Sequence, residues 1–308
     1  MQSIFYELTR SSMSKKVALV LSSGGARGLA HIGVIESLIE DGYEITSISG
    51  SSIGAVVGAF YACGELETYK KWACELDRYD VFKLIDFTFS VQGFIKGEKV
   101  FKALQEVIAD RNIEDFNIPF AALVTDIKEK KEVVFDHGSM YEAIKASVAI
   151  PTVIKPVVRN GREFIDGGVT NPIPIDHVKR HEGDLLVVSN VNAIIPYHRR
   201  VADVQKEKAA EATYNKQIQA FLNGWNKFLP GPSAEPTEKK LGFFDLLNES
   251  IDLMQDRLTS LLLEKHRPDL LVNISREACS TFEFYKCTEL INAGKEAYQR
   301  SVKEQSVL

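Results

Sequence analysis

The stretch Gly50-Ser51-Ser52-Ile53-Gly54 lies between an apolar run at residues 45–49 and a run of small apolar residues at 55–63. This order predicts a strand that turns sharply into a helix, with Ser52 raised above the turn. Gly50 and Gly54 have no side chain where the strand and the helix come close together. The helix would begin at Ser52, so its free N–H groups face a place where negative charge could develop. The five residues alone are also ordinary turn material, which leaves a plain strand–turn–helix open.

A second glycine-rich stretch, Ser23-Gly24-Gly25-Ala26-Arg27-Gly28, follows an apolar run at residues 17–22 and precedes a helical pattern that ends at Gly42. Both loops follow strands, and in a parallel sheet such loops lie at the same edge. The backbone amides of Gly24, Gly25 and Ala26, with the N–H of Ile53, would then form an oxyanion hole beside Ser52. Nucleotide binding is disfavoured, because a dinucleotide fingerprint needs glycine at position 23 and P-loop spacing is absent.

The residue that could activate Ser52 stands in Asp166-Gly167-Gly168, directly after a hairpin signal at Asn160-Gly161. A serine hydroxyl is a weak nucleophile and needs a base within hydrogen-bond reach. If no histidine lies between them, the Asp166 carboxylate accepts the proton itself. Partial burial would raise its pKa for that purpose.

A Ser-His-Asp triad is the alternative to this pair. The histidines that follow the acid are His177, His181, His198 and His266, and none of them has a glycine-rich or strand-end setting. His31 lies one turn into the first helix and is predicted to be a packed or capping residue. The sequence therefore favours direct activation by the carboxylate.

The composition is that of a globular α/β protein with 308 residues, 45% of them hydrophobic, and a net charge of −5. No basic cluster is interleaved with aromatic residues, so no nucleic-acid partner is expected. The four cysteines, Cys63, Cys74, Cys279 and Cys287, form no C-x-x-C and no metal-ligand spacing. They are predicted to be reduced and mostly buried, which favours a cytoplasmic protein.

Along the chain, the pattern predicts an N-terminal extension at 1–16, a core at 17–198, a helical insertion at 199–264 with a linker at 230–240, and a closing strand and helix at 265–308. No stretch has the length and apolar character of a signal peptide or a membrane span. The predicted helices of the core are 66–79, 97–110 and 141–148, and its further strands are 119–127, 131–135, 157–158, 163–165 and 185–191.

Two apolar features have more than one interpretation. The aromatic residues at 81–95 are expected to turn inward, with core packing favoured over an acyl pocket; they are Phe82, Phe87, Phe89 and Phe94. The amphipathic helix at 243–264 carries an apolar stripe that either packs on the sheet, which is favoured, or meets lipid or a second subunit. Its members are Phe244, Leu247, Ile251, Met254, Leu258 and Leu262. Residues 199–240, with Trp225 and Phe228 beside lysines, are a candidate lid or membrane-contact arm.

Together, the motifs resemble those of the patatin-like phospholipases, in that family's order and over residues 17–195. They are Gly24-Gly25-Ala26-Arg27-Gly28, His31-Ile32-Gly33-Val34, Gly50-Ser51-Ser52-Ile53-Gly54, Ala146-Ser147-Val148-Ala149-Ile150-Pro151 and Asp166-Gly167-Gly168. The resemblance implies a three-layer α/β/α fold with a mostly parallel sheet, and a Ser-Asp dyad that hydrolyses lipid acyl esters without metal or organic cofactor.

The resemblance also implies roles for single residues. It assigns the nucleophile to Ser52, the base to Asp166 and the oxyanion donors to residues 24–26, and it implies that Arg27 stabilises the loop or faces a head group. The chain departs from the family's usual pattern at two positions. Ser23 stands where a further glycine is usual, and Gly168 stands where the family often has alanine.

The sequence thus predicts a serine lipid acyl hydrolase that works through an acyl-enzyme, with a lipid acyl ester as its substrate. Two alternatives stay open: an acyltransferase that uses the same acyl-enzyme, and a non-catalytic lipid-binding protein of the same fold. Peripheral membrane contact and a homo-oligomer also stay open.

Overall fold

A computed structural model describes residues 15–84, 97–151, 153–197, 199 and 243–305. Its centre is one mixed sheet with the strand order β5-β6-β3-β2-β1-β7-β8, and β4 pairs with β3. The strands are β1 (Lys15–Leu21), β2 (Tyr43–Ser51), β3 (Phe120–Asp126), β4 (Lys131–Phe135), β5 (Val157–Arg159), β6 (Arg162–Asp166), β7 (Leu185–Ala193) and β8 (Leu270–Ser275). The neighbours from β3 to β8 along this order are parallel, whereas β4 and β6 run antiparallel to β3.

Helices cover this sheet, as the three-layer prediction required. They are α1 (Ala30–Glu40), α2 (Ile53–Ala62), α3 (Leu66–Glu75), α4 (Arg78–Leu84), α5 (Glu98–Val107), α6 (Met140–Ser147), α7 (Phe243–His266) and α8 (Cys287–Gln305). The single helix predicted at 66–79 is two helices. The chain is extended at Leu76, and the Asp77 carboxylate accepts hydrogen bonds from the amides of Tyr79 and Asp80, which starts a new helix.

Both faces of the sheet are buried, because alternate residues of its strands enter different cores. In β1, Val17, Leu19 and Leu21 join the larger core, and Ala18 and Val20 join a smaller one. The larger core includes α1, α2 and α8. Residues 173–178 fill the smaller core, with Leu263 of α7 packed against it. This arrangement confirms the predicted three-layer α/β/α class.

Helices α1 and α8 approach each other closely at two glycines. A Cβ atom on Gly33 would lie 2.0 Å from the Ile291 carbonyl oxygen, and one on Gly294 would lie 2.0 Å from the Ala30 carbonyl oxygen. Any side chain at either position would force the two helices apart. The glycine of the His31-Ile32-Gly33-Val34 motif is therefore required for helix packing.

The strand ends bring the predicted loops to one edge of the sheet. Leu21 at the end of β1 lies opposite Gly50 near the end of β2, and the two strands are parallel. The β5–β6 hairpin turns through Asn160 (φ 52°) and Gly161 (φ 72°), as the predicted type I′ turn requires. Asp166 ends β6 opposite Val124 of β3.

Helix α7 has two different faces. Leu263 packs on the smaller core, and Ile251, Leu258 and Leu262 are half-buried. Met254, which the predicted stripe placed with them, is 58% exposed, and its neighbour Leu253 is 69% exposed. Among the described residues, no helix combines the length and the apolar character that crossing a bilayer demands.

Other predictions fall on the borders of the described ranges. Strand β1 begins at Lys15, inside the predicted extension. Phe82 in α4 is 48% exposed, so the prediction that it turns inward is wrong. Phe87, Phe89 and Phe94 lie outside the described residues, as do 1–14 and 200–242, which include Trp225, Phe228 and the linker.

The structure contains a disulfide bond between Cys74 of α3 and Cys287 of α8, with the two Cα atoms 5.0 Å apart. The prediction of four reduced cysteines is wrong for this pair. The two residues are 213 positions apart and form no spacing motif, so only the packing of α3 near the start of α8 brings them together. Cys63 and Cys279 are free and buried, as predicted. The cysteines consequently no longer support a cytoplasmic location.

Candidate active site

Ser52 links β2 to α2 through a strained turn. Its backbone has φ 54° and ψ −124°, a conformation that residues with side chains rarely adopt. A Cβ atom on Gly50 would lie 2.4 Å from the Gly54 carbonyl carbon, and one on Gly54 would lie 2.3 Å from the Leu21 carbonyl oxygen. Gly50 thus lets β2 and α2 come close together, as the sequence predicted, whereas Gly54 is required because the start of α2 lies against the end of β1.

Asp166 is brought directly against this serine. The Ser52 hydroxyl donates to Asp166 Oδ2 at 2.6 Å, and both residues are only 5% exposed. The other carboxylate oxygen, Oδ1, accepts from the Gly168 amide at 2.7 Å. Gly167 lets the chain pass close to β3, since a Cβ atom there would lie 2.3 Å from the Leu123 carbonyl oxygen. Among the described residues, no histidine forms a hydrogen bond with Ser52.

The surroundings of Asp166 change its acidity. Burial is the largest influence and raises the pKa of the carboxyl to about 6, against the opposing hydrogen bonds from Ser52 and Gly168. A carboxylate with this pKa is ionised at neutral pH and is a stronger base than a solvated aspartate. It can therefore accept a proton from the hydroxyl beside it.

Ser147 braces the turn from behind. Its Oγ accepts from the Ser52 amide at 2.9 Å and donates to the Leu123 carbonyl at 2.6 Å. Ala149, two residues later, accepts from the Asp166 amide at 3.0 Å. The segment 146–151, which the sequence marked only as part of the resemblance, thus fixes the backbones of both Ser52 and Asp166. Nothing in its residue pattern indicated that role.

The glycine loop lies on the other side of Ser52. The amides of Gly24, Gly25 and Ile53 have no hydrogen-bond acceptor within the described part of the chain, whereas the Ala26 amide donates to the Thr281 carbonyl at 2.8 Å. Ala26 is therefore removed from the predicted oxyanion donors, because its N–H is already bound. The segment that holds it lies more than 250 residues away in sequence, so local sequence could not reveal this contact.

The rest of the loop is packed to hold this shape. Gly25 has φ 56°, a backbone conformation that favours glycine. A Cβ atom on Gly28 would lie 2.1 Å from Ile53 Cγ2, so the loop and the start of α2 touch. Both glycines are thus required where the sequence placed them.

Arg27 stabilises the loop, one of the two roles expected for it. Its Nη2 donates to Asn192 Oδ1 at 2.9 Å, and its Nη1 donates to the Cys279 carbonyl at 3.1 Å. Asn192 also donates to the Ser23 carbonyl at 2.7 Å. The sequence analysis missed Asn192, although its place just after the buried core of β7 was a signal for the same sheet edge.

His31 is a packed residue, as predicted. Its Nε2 lies 3.0 Å from the Ser22 carbonyl oxygen and its Nδ1 lies 2.8 Å from Ser189 Oγ. Since a carbonyl only accepts, Nε2 carries the proton and Nδ1 accepts from the serine. Burial lowers the pKa of His31 to about 4. The ring is neutral and supports the loop, and it forms no hydrogen bond with Ser52 or Asp166.

Two cavities meet at Ser52. One, of about 150 Å³, has apolar walls from α2 to α5 and from residues 148–154 and 281–284, including Val56, Trp72, Leu76, Val100, Phe101 and Leu104. The other, of about 160 Å³, is the more polar of the two, and its lining includes Arg27, Asp166, Asn192, Asp252 and Gln255. In the part of the chain that the structure describes, no cluster of three or more histidine, cysteine or acidic side chains could hold a metal ion.

Comparison with known proteins gives these features a family. The sequence model of the patatin-like phospholipases matches residues 19–179. An uncharacterized NTE family protein of Mycobacterium tuberculosis is 33% identical over 327 residues, which covers 93% of this chain and 91% of that protein. Lysophospholipase nte1 of Aspergillus fumigatus is 29% identical over 237 residues, covering 74% of this chain and 15% of that protein. The structure of VipD from Legionella pneumophila aligns over 95% of this chain and 67% of VipD, with 15% identity and a TM-score of 0.45. The chain therefore belongs to the patatin-like phospholipase family, a family of lipid ester hydrolases.

Proposed function

We propose that this protein hydrolyses fatty acyl esters of phospholipids or lysophospholipids through a Ser52–Asp166 dyad and a covalent acyl-enzyme. The 2.6 Å hydrogen bond between the Ser52 hydroxyl and Asp166 Oδ2 carries the proposal. A serine that is held at a strained turn, with its proton already directed at a buried carboxylate, is prepared to act as a nucleophile.

In the first half-reaction, Ser52 Oγ attacks the ester carbonyl carbon while its proton passes to Asp166. The carbonyl oxygen becomes an oxyanion, and the unbound amides of Gly24, Gly25 and Ile53 are the donors available to it. Asp166 then gives the proton to the departing alcohol oxygen as the carbon–oxygen bond breaks. The acyl group stays on Ser52, and the alcohol leaves.

The two cavities support this assignment of the substrate. The apolar cavity matches a fatty acyl chain, and burial of each CH₂ group there contributes about 0.8 kcal/mol. The polar cavity matches a charged lipid head group, because Arg27 and Asp252 offer charges of both signs. The names of the fungal relatives, lysophospholipases, point to the same substrate class.

Substitution of the dyad tests this proposal. Ser52→Ala and Asp166→Asn are each expected to abolish hydrolysis of p-nitrophenyl fatty esters and of lysophospholipid, measured as release of nitrophenolate and of free fatty acid. A fluorinated organophosphonate is expected to label Ser52 in the wild-type protein and to leave Ser52→Ala unlabelled. Circular dichroism would check that both variants fold.

A result against the proposal is equally clear. Wild-type turnover in Asp166→Asn would mean that another base operates, and organophosphonate labelling of a different residue would move the nucleophile elsewhere. Ser260→Ala, on the exposed side of α7, is a matched serine control and should behave as wild type.

A further inference from the structure

Three groups lie close to Gly168 on the side where a side chain would be. The position that a Cβ atom would take on this glycine lies 3.0 Å from Gln255 Nε2, 3.1 Å from Asp166 Oδ1 and 3.1 Å from the Ser23 Cβ atom. A methyl group there would press on all three, so the missing side chain lets the glycine loop, the loop after β6 and helix α7 come close together beside the Asp166 carboxylate.

Two of these groups have unused hydrogen-bonding capacity. The Ser23 hydroxyl belongs to a residue that is 5% exposed, and it has no partner within the described residues. The side-chain amide of Gln255 also makes no hydrogen bond there. A buried hydroxyl without a partner is less stable than a hydroxyl that is hydrogen-bonded to water. Such a group next to a catalytic carboxylate points to a ligand that supplies the missing bond.

The same three residues, Ser23, Asp166 and Gln255, line the polar cavity together with Ser52. In the proposed reaction the alcohol oxygen leaves Ser52 on the Asp166 side, because Asp166 gives it a proton. Water must then approach the acyl carbon from that same side, since Asp166 must also take the proton of the water. The Ser23 hydroxyl and the Gln255 amide therefore lie on the side from which the water molecule of the second half-reaction must approach.

We propose that Ser23 and Gln255 position the water molecule that hydrolyses the acyl-enzyme; this inference rests on the proposed dyad. The water oxygen attacks the acyl carbon, and one water proton passes to Asp166. The tetrahedral intermediate collapses as the bond from the carbon to Ser52 Oγ breaks, and Ser52 recovers its proton from Asp166. The fatty acid is released. Ser23 and Gln255 hydrogen-bond to the water and undergo no covalent change.

The experiment separates the two half-reactions with p-nitrophenyl octanoate. Nitrophenolate is a good leaving group that needs no proton, so acylation should not depend on the water site. Ser23→Ala and Gln255→Leu are each expected to slow deacylation about three- to tenfold, the effect of one lost hydrogen bond. Deacylation is measured as the decay of the acylated protein mass after rapid quenching. The rate of the first nitrophenolate release should stay within about twofold of wild type.

Gly168→Ala provides an independent variant, because its methyl group would press on Gln255, Asp166 and Ser23 and shift them while keeping both polar side chains. It is expected to slow deacylation as well. Organophosphonate labelling of Ser52 at the wild-type rate would show that each variant has an intact dyad, and Ser260→Ala serves as the matched control. Unchanged deacylation in both Ser23→Ala and Gln255→Leu would overturn the inference. A wild-type protein that never becomes acylated would instead overturn the proposed function.

Discussion

In the proposed mechanism, the Asp166 carboxyl determines the pH range in which Ser52 can be activated. Burial raises its pKa to about 6, and only the ionised form can accept the Ser52 proton. We therefore expect kcat/KM for a p-nitrophenyl ester to fall as the pH decreases through about 6 and to level off above it. A profile from pH 4.5 to 8.5 checks this midpoint.

The raised pKa of Asp166 makes the pH dependence of folding stability opposite to that of activity. Because the folded-state pKa lies above the unfolded value, the contribution of Asp166 is most favourable below pH 4 and is lost as the pH rises through about 6. Asp166→Asn should thus gain stability relative to wild type between pH 4 and 7, measured by urea unfolding. An activity midpoint near pH 4, or no change of relative stability across that range, would contradict the raised pKa.

Single residues show what a sequence can and cannot predict. The pairing of Ser52 with Asp166 was predicted because each stood in a glycine-containing turn after a strand, and the structure places their oxygens 2.6 Å apart. The contact between Ser23 and Gly168 was not predicted from the sequence. Both depart from the family's usual pattern, and the Ser23 Cβ atom occupies space against the position where an alanine methyl at 168 would lie. Only the folded chain reveals that the two changes are neighbours.

Helix α7 carries its apolar residues on two opposite sides. Its inner side, with Ile251 and Gln255, lines the polar cavity beside Ser52. Its outer side is exposed at Leu246, Leu253, Met254 and Leu261, by 44–69%. The sequence predicted the helix from its periodicity, but apolar residues on both sides could not indicate which of them face the sheet. That is why Met254 was assigned to the wrong side.

We expect this outer side to meet the lipid surface from which the substrate is drawn, since its exposed apolar residues lie on the same helix whose inner side lines the polar cavity. Leu253→Ser combined with Met254→Ser should lower turnover of vesicle-bound lysophospholipid at least fivefold. Hydrolysis of a short, monomeric p-nitrophenyl ester should be unchanged, because neither side chain lines a cavity at Ser52. Co-sedimentation with vesicles measures binding directly. Equal loss with both substrates would indicate a folding defect and would argue against the lipid contact.

The order of elements across the whole molecule was predictable, because apolar runs that alternate with helical patterns are typical of a parallel sheet. The antiparallel edge of β4, β5 and β6 was predictable only at the Asn160-Gly161 turn. The disulfide was not predictable, because its cysteines become neighbours only when α3 and the start of α8 have packed. It joins two walls of the apolar cavity, since α3 supplies Trp72 and the segment before α8 supplies Phe284.

Loss of this bond should loosen the molecule as a whole. Reduction, or Cys74→Ser, is expected to lower the free energy of unfolding by about 2–5 kcal/mol, because the bond closes a long loop in the unfolded chain. Urea denaturation with and without dithiothreitol measures the effect. In Cys74→Ser the reductant should have no further effect. If dithiothreitol does not change the urea midpoint of the wild-type protein, the disulfide contributes nothing to the free energy of unfolding.

The meeting of the two cavities at Ser52 also affects what happens after the chemistry. In the proposed reaction, the alcohol product lies in the polar cavity once the ester is cut, while the fatty acid remains among the apolar walls that bound it in the substrate. Each methylene group that is buried in the apolar cavity stabilises the bound fatty acid and so slows its release. Long chains would then be captured efficiently and released slowly, and the free acid would compete with fresh substrate. An enzyme built this way slows down as its own product accumulates.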